Sequence, residues 1–262
     1  MHHIADIIAF VEESTGHRLN PEEGVLHGSA QDEVERVLLA WQPGRHLLAR
    51  AGEEGVDLVI GHESLYYPYN VLEDGGPAGW EDWPFNRARR EVLEKHGLTF
   101  VRLHTSVDEL TIMDDFAAVL GLGKPVVARG WGAKIYEIEP CTLAELVVRV
   151  KQRMGMPHVR VSCPNGMDQV VSRIALPCGG GGLYGNVGFQ NTVLGMGCDA
   201  LIAGEACSYG FRFSAECGVP MIETTHEDSE NPGLVRFCGM LREAFPELDI
   251  EFVEVGPVWQ WA

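Results

Sequence analysis

The chain has 262 residues, of which 45% are hydrophobic and 22% are charged, a composition typical of one large or two ordinary globular domains. Its formal net charge of −18 argues against binding to nucleic-acid backbones or anionic membranes, because both recruit clustered lysine and arginine. No apolar run approaches the roughly 18 residues that span a bilayer. The seven cysteines form no C-x-x-C pair, so we expect a cytoplasmic protein with reduced thiols.

Apolar residues recur with helix-like and strand-like patterns along most of the chain. The first segment places Ile4, Ile7, Ile8 and Val11 at helical spacing, which predicts an amphipathic surface helix and not a signal peptide. Short runs rich in Val, Ile and Leu then predict buried strands. These runs are Val37–Trp41, Val56–Ile60, Leu98–Leu103, Ala133–Ile138, Val159–Ser162, Arg173–Leu176, Ala200–Ala203, Pro220–Glu223 and Ile250–Val255.

Helix-length segments lie between these strands. They are Arg45–Glu54, Asn86–His96, Met113–Leu120, Thr142–Met154 and Glu230–Phe245. Thr142 and Glu145 have the spacing of a capping box, in which each residue caps a backbone N–H near the other. The alternation of strands and helices predicts an α/β fold with mostly parallel strands.

A glycine-rich segment, GLGKPVVARGW at 121–131, interrupts this alternation. Because the strand–helix pattern resumes on its far side, we expect two α/β lobes, residues 1–125 and 126–262. The irregular segment Asp74–Phe85 is interpreted as a surface loop, with a flap over a site as the alternative.

Polar clusters that combine histidine with carboxylate follow three of the predicted strands. The clusters are His62 with Glu63, His104 with Asp108, and His226 with Glu230. The carboxyl ends of parallel strands lie at one edge of a sheet, where ligands gather. The sequence therefore predicts that residues far apart along the chain meet at one site.

The chemistry of these clusters suits a divalent metal. Imidazole nitrogen and carboxylate oxygen bind Zn, Mn or Fe, and the clusters contain no thiolate. The interval of four residues in the second and third clusters places both side chains on one face of a helix. Several carboxylates together would offset the charge of two ions. The alternative is that each histidine is a hydrogen-bonded structural residue at a strand end.

The glycine-rich loop PCGGGGLYGNVG, at 177–188, allows two interpretations. Gly179–Gly182 could bring backbone N–H groups to a phosphate, or they could form a tight turn that needs unusual φ angles. The loop lacks the Lys-Ser/Thr pair of a P-loop, which favours the turn.

Four stretches of the sequence resemble motifs of the NIF-three-like family, the YbgI-type proteins named GTP cyclohydrolase type-2 homologues. The strand-end stretch GHESLYYP resembles the family's His-His-Pro-type motif, HTSVD resembles its H-T-N-L-D, and HEDSE resembles its H-x-x-x-E. The earlier stretch NPEEGVLHG resembles D-N-x-G-L-x-x-G. Similarity continues through residues 142–161, the CGGGG turn and the Gly-Glu pair at 204–205, so it covers nearly the whole chain.

The resemblance implies a centre of two divalent ions in a cleft between two α/β lobes. The ligands it implies are His62, Glu63, Asp108, His226 and Glu230. Glu230 would bridge the ions, and His104 would act beside them as a proton carrier or further ligand. Family members assemble as hexamers built from dimers, which implies a homo-oligomer here.

The sequence departs from the family pattern at two places. Glu63 stands where the family has the second histidine of the pair, which favours Mn or Fe or a weakened second metal position. The stretch GEACSYGF at 204–211 lacks the histidine that family members often carry after this pair.

Three functions remain open at this point. The first is a dinuclear metal-dependent hydrolase, cyclohydrolase-like or phosphoesterase-like, acting on a phosphorylated or nucleotide-like small molecule. The second is a non-catalytic metal-handling or regulatory scaffold protein. The third is a structural role, in which the metal only holds the lobes together.

Overall fold

The computed structural model of the chain describes residues 1–260 and has an α/β fold. Its strands are β1 (His2–His3), β2 (Gly24–His27), β3 (Glu33–Val34), β4 (Arg36–Ala40), β5 (Leu58–Gly61), β6 (Thr99–Arg102), β7 (Val127–Arg129), β8 (Ala133–Thr142), β9 (Arg160–Ser162), β10 (Val170–Ala175), β11 (Ala200–Ala203), β12 (Met221–Glu223) and β13 (Asp249–Val253).

The helices alternate with these strands as the sequence predicts. They are α1 (Ile4–Thr15), α2 (Arg45–Glu53), α3 (Val71–Asp74), α4 (Pro84–His96), α5 (Thr105–Val107), α6 (Met113–Val119), α7 (Leu143–Met154), α8 (Val187–Gly195), α9 (Ser208–Glu216) and α10 (His226–Ala244). A π-helical turn, Asp108–Ile112, separates α5 from α6. Among residues 1–260, no helix is both long and apolar enough to cross a membrane.

One sheet has the strand order β13-β4-β5-β6-β2. Its first four strands are mutually parallel, and only the edge strand β2 is antiparallel. The side chains of β4, β5 and β6 are almost entirely buried, as expected for strands covered on both faces. Gly61 pairs with Arg102 in register, so the residues that follow β5 and β6 emerge side by side.

The other main sheet has the order β7-β8-β10-β11-β12-β9. Its inner strands β10, β11 and β12 are parallel, whereas β8 and β9 run antiparallel to their neighbours. Most strands of each sheet thus share one direction, which confirms the predicted class. The loops after β10, β11 and β12 leave the sheet at the same edge.

The chain folds into two compact units. One consists of Met1–Thr111 with Leu234–Val255, and the other consists mainly of Ile112–Gly233. Strand β13 belongs to the first unit because it pairs in parallel with β4 along its full length. The boundary predicted from the sequence groups this strand with residues 126–262.

Helix α7 begins with the capping box that the sequence predicts. Thr142 Oγ1 accepts a hydrogen bond from the Glu145 backbone N–H at 3.2 Å, and Glu145 Oε2 accepts one from the Thr142 N–H at 2.8 Å. Two backbone donors that the helix itself leaves unpaired are therefore satisfied. The helix ends at Gly155, whose φ of 67° is left-handed, as glycine allows.

We expect the substitution Thr142→Ala to lower the free energy of unfolding by about 1 kcal/mol, because the N–H of Glu145 loses its cap. Urea denaturation followed by circular dichroism measures the change. The matched control is Thr192→Ala, which removes the same atoms from an exposed residue of α8. Equal stability of the two variants would contradict the capping role.

Candidate metal centre

His62 follows β5 and is fully buried. Its Nδ1 lies 3.1 Å from the carbonyl oxygen of Leu103, which follows the neighbouring strand β6. Because a carbonyl only accepts, Nδ1 carries the proton, and Nε2 carries the lone pair. A backbone carbonyl that fixes the tautomer in this way is the usual support of a metal-binding histidine.

The lone pair of His62 Nε2 faces a carboxylate. Nε2 lies 3.8 Å from Asp108 Oδ1, which is too long for a hydrogen bond. Metal–ligand bonds of about 2.0–2.2 Å allow two ligands of one ion to lie up to about 4 Å apart, so the pair fits a shared ion. Ligand atoms of His62, His104 and Asp108 all lie within 4.8 Å of one another.

His104 lies in the turn between β6 and α5. Its Nδ1 is 3.5 Å from Thr105 Oγ1 and 3.7 Å from Glu22 Oε1, and its Nε2 is 3.2 Å from the Tyr69 hydroxyl. The interaction with His104 outweighs the opposing effect of burial and, with a hydrogen bond from Thr105, lowers the pKa of Glu22 to about 2. The Glu22 carboxylate is therefore charged across the physiological range.

Glu23 holds the backbone of this turn in place. Its Oε1 accepts hydrogen bonds from the backbone N–H of His104 at 2.7 Å and of Ser106 at 2.9 Å. Its Oε2 accepts from Ser106 Oγ at 2.7 Å and from Asn20 N at 2.9 Å. This carboxylate is saturated with protein donors, so it supports the turn that carries His104 and Asp108.

Glu63 is buried beside a buried arginine. Glu63 Oε2 lies 3.8 Å from Arg102 Nη2, and Glu63 Oε1 lies 3.9 Å from His104 Nε2. Only 1% of the Arg102 surface is exposed, and its guanidinium also donates to Asn70 Oδ1 at 2.6 Å and to the Tyr69 hydroxyl at 2.5 Å. Glu63 therefore compensates a buried cation that would otherwise be costly.

A second cluster lies in the other compact unit, at the start of α10. His226 Nε2 is 3.3 Å from Glu230 Oε1, one helical turn away. His226 Nδ1 is 3.1 Å from Glu205 Oε2, which comes from the loop after β11. A carboxylate on Nδ1 orients the imidazole and leaves Nε2 on the side of Glu230.

The glycine-rich loop packs against this second cluster. Gly179 has a left-handed φ of 54°, and a Cβ there would overlap Glu230 Oε1 and lie 3.0 Å from His226 Nε2. Ser229 Oγ accepts a hydrogen bond from the Gly179 N–H at 3.0 Å and donates one to the His226 carbonyl at 2.7 Å. The loop thus needs glycine because its backbone lies close to the side chains of Glu230 and His226.

The structure groups the site residues that the sequence singles out within each unit. His62, Glu63, His104 and Asp108 are neighbours in the first unit, and His226 and Glu230 are neighbours in the second. That both groups serve one centre, and that each of these residues has the role expected from the sequence, remain predictions.

The family comparison agrees with the motifs. The model of the family described as DUF34/NIF3 (NGG1p interacting factor 3) matches residues 3–257. The chain belongs to this family. A NIF3-family relative from Clostridium perfringens named GTP cyclohydrolase 1 type 2 homolog is 21% identical over 244 residues, which cover 88% of this chain and 86% of the relative. A protein of the same name from Nostoc sp. is 25% identical over 244 residues, which cover 90% of this chain and 84% of that protein.

Solved structures share the fold of this NIF3 chain. The protein ybgI, described as of unknown function, superposes with a TM-score of 0.80 at 20% identity, covering 98% of this chain and 99% of that one. Reduced HcgD from Methanocaldococcus jannaschii gives a TM-score of 0.76 at 18% identity, covering 97% and 98%. At such identities the comparison shows the fold alone.

Several residues that support the first cluster were not predicted from the sequence. They are Glu22, Glu23, Tyr69 and Arg102. One signal was available for Arg102, because it is the only charged residue in the apolar run Leu98–Leu103. Glu22 and Glu23 lie in the NPEEG stretch, whose resemblance to a family motif marked the segment without indicating what its carboxylates do.

We expect Gly179→Ala to weaken zinc binding at least about tenfold, because the new Cβ displaces Glu230 and His226 from their supported positions. The left-handed conformation adds a strain of about 1–2 kcal/mol. Isothermal titration with zinc and thermal denaturation without it separate the two effects.

The matched control is Gly185→Ala in the same loop, where φ is not left-handed and a Cβ meets nothing within 4 Å. Unchanged zinc affinity in Gly179→Ala, with folding intact, would show that the loop is not needed to place the cluster.

Proposed function

We propose that this NIF3-family protein binds divalent metal at His62 and Asp108 and acts as a metal-dependent hydrolase on a phosphorylated or nucleotide-like small molecule. One observation supports the metal site above all others. The buried Nε2 of His62 faces Asp108 Oδ1 at 3.8 Å, while Nδ1 donates to a backbone carbonyl. An imidazole nitrogen and a carboxylate oxygen at this spacing are donors that one divalent ion accommodates.

The proposed ligand set is the one that the family resemblance implies. It consists of His62, Glu63, Asp108, His226 and Glu230, and it would hold two ions of Zn, Mn or Fe. Nitrogen and carboxylate donors of this kind suit all three metals. The bound ions would supply Lewis-acid activation of water and of a phosphoryl or carbonyl oxygen.

The protein's own residues supply the remaining chemistry. His104 Nε2 lies 3.9 Å from Glu63 Oε1, so His104 is placed to hold a proton beside the ligands. Histidine suits this role because its charge changes near neutral pH. Glu22, at 3.7 Å from His104 Nδ1, orients the ring. Arg102 offsets the charge of Glu63 at the same site.

The substrate class rests on the names of relatives and on charge. Two relatives are named GTP cyclohydrolase 1 type 2 homolog, which supports a nucleotide-like substrate. The net charge of −18 repels phosphate from the protein surface in general. A phosphorylated substrate would therefore bind where bound cations reverse the local field.

The alternative function is a non-catalytic metal-handling or regulatory scaffold protein, for which the homo-oligomeric ring implied by the resemblance would suffice. Two observations favour it. The loop after β11 carries Glu205 but no histidine after it, and Glu63 is already engaged with Arg102. Both features reduce the groups available for chemistry, while the other four proposed ligands stay available to a metal.

We expect Asp108→Asn to weaken zinc binding at least about tenfold, because a neutral amide replaces an anionic ligand of similar shape. Equilibrium dialysis followed by elemental analysis gives both the affinity and the number of ions per chain. His46→Ala, which removes an exposed histidine, is the control and should bind zinc as the unaltered protein does.

His226→Ala in the same assay tests whether both clusters serve one centre. A shared centre requires that this substitution and Asp108→Asn each weaken the binding of both ions. If each variant instead loses one ion and keeps the other at full affinity, the sites are independent and the dinuclear proposal is wrong. If neither variant loses zinc, the metal proposal itself is wrong.

For the hydrolase, we expect turnover of at least one compound in a panel of nucleotides, phosphoesters and purines by protein loaded with zinc, manganese or iron. His104→Ala should lose most of this turnover and retain its metal, because His104 carries a proton and is not needed to hold the ions. Exchangeable metal with no turnover in any loaded form would support the metal-handling alternative.

A further inference from the structure

Tyr69 is half exposed, yet its hydroxyl is held from two sides. The hydroxyl oxygen lies 2.5 Å from Arg102 Nη2 and 3.2 Å from His104 Nε2. Its side chain is 46% exposed, so packing alone does not fix the ring. The two hydrogen bonds do, and the guanidinium carbon of Arg102 lies 4.5 Å from the ring centroid as a cation–π contact.

The direction of these hydrogen bonds follows from their chemistry. A guanidinium only donates, so the Tyr69 oxygen accepts from Arg102, and its own proton stays available for His104 Nε2. On the opposite side of the ring, Thr105 Oγ1 donates to Glu22 Oε1 at 2.5 Å. Thr105 Oγ1 therefore accepts from His104 Nδ1, which lies 3.5 Å away.

In a neutral His104 ring, a proton on Nδ1 leaves only one tautomer. Nδ1 bears the proton and faces Thr105 and the charged Glu22, while Nε2 bears the lone pair and accepts from Tyr69. The same nitrogen is the one that lies 3.9 Å from Glu63 Oε1. A nitrogen lone pair serves either a hydrogen-bond donor or a metal ion, but not both.

The Arg102 guanidinium, which donates to the Tyr69 hydroxyl, is itself held in place by other partners. Arg102 is almost completely buried, and it donates to Asn70 Oδ1 at 2.6 Å and to the His62 carbonyl at 3.3 Å. Asn70, the residue after Tyr69, has a left-handed φ of 59°, which asparagine tolerates better than most residues. The turn that presents the Tyr69 hydroxyl is thus tied to the strand that carries Arg102.

We propose that Tyr69 is a positioning residue that fixes the Nδ1-protonated tautomer of His104 and reserves its Nε2 lone pair, so that His104 stays a proton carrier and does not become a permanent metal ligand. This inference rests on the proposed function for its consequence, but not for the hydrogen bond itself. The bond joins two protein groups, so it can be tested in metal-free protein.

The test compares Tyr69→Phe with Tyr67→Phe. Each substitution removes one hydroxyl, and the two tyrosines are almost equally exposed, at 46% and 45%. The ring of Tyr67 packs against Phe85 at 4.9 Å, so the control keeps its packing as the test variant does. Imidazole nitrogen resonances of the metal-free full chain, assigned by comparison with His104→Ala, report the tautomer.

In the metal-free unaltered protein and in Tyr67→Phe, we expect His104 to be protonated at Nδ1 with Nε2 as an acceptor. In Tyr69→Phe, the Nε2 resonance should lose the shift of a hydrogen-bond acceptor and both tautomers should be populated. A His104 spectrum that is the same in both variants, or an unaltered protein with the proton on Nε2, would overturn the proposal.

Zinc titration provides the second readout. Removing the competing hydroxyl should tighten zinc binding about five- to tenfold, the equivalent of one hydrogen bond, and adding His104→Ala should cancel this gain. His104→Ala alone should leave zinc affinity nearly unchanged. If His104→Ala weakens zinc binding equally with and without the Tyr69 hydroxyl, the lone pair is not reserved and the proposal is wrong.

The two readouts separate this proposal from the proposed function. An unaltered protein that binds no zinc, manganese or iron would refute the metal-dependent function, and the metal-free spectra would then decide the role of Tyr69 alone. Normal metal binding with unchanged spectra in Tyr69→Phe would refute the role of Tyr69 and leave the proposed function standing.

Discussion

The candidate centre depends on the hydrogen bond from His62 Nδ1 to the Leu103 carbonyl. This bond forms because β5 and β6 are adjacent and parallel, with Gly61 opposite Arg102. The segments that follow the two strands therefore leave the sheet side by side. The hydrogen bond fixes the imidazole tautomer and aims Nε2 at Asp108. Without it, no fixed acceptor would determine the tautomer of the buried histidine, and the Nε2 lone pair would have no defined direction.

The polar groups around His62 are tolerated in the interior because they satisfy one another. Glu23 accepts from three backbone N–H groups and two side chains, and Arg102 donates to two carbonyls, an amide oxygen and a hydroxyl. A buried charge lacking such partners would destabilise the fold by several kcal/mol. The network therefore fixes the loop after β5 and the turn after β6 relative to each other within the same compact unit.

The sequence predicted the strands and the strand-end clusters because both depend on local pattern. Val, Ile and Leu runs identify β4, β5 and β6, and the Thr142 capping box marks the start of α7. It did not predict α9 or the short edge strands such as β2. The role of Arg102 was also hidden, because Tyr69 and Asn70 come from a segment with no periodic pattern and meet it only through the tertiary fold.

Glu63 shows how one departure from the family pattern changes the electrostatics of the site. A neutral histidine at this position would leave the Arg102 guanidinium, at 1% exposure, without the carboxylate that now lies 3.8 Å away. Glu63 and Arg102 are formally neutral as a pair, so the glutamate adds little to the net negative charge that would attract an ion. The preference of a hard anionic donor for Mn or Fe is therefore weakened by the arginine. In the proposed centre, the choice of metal would follow from the pair and not from Glu63 alone.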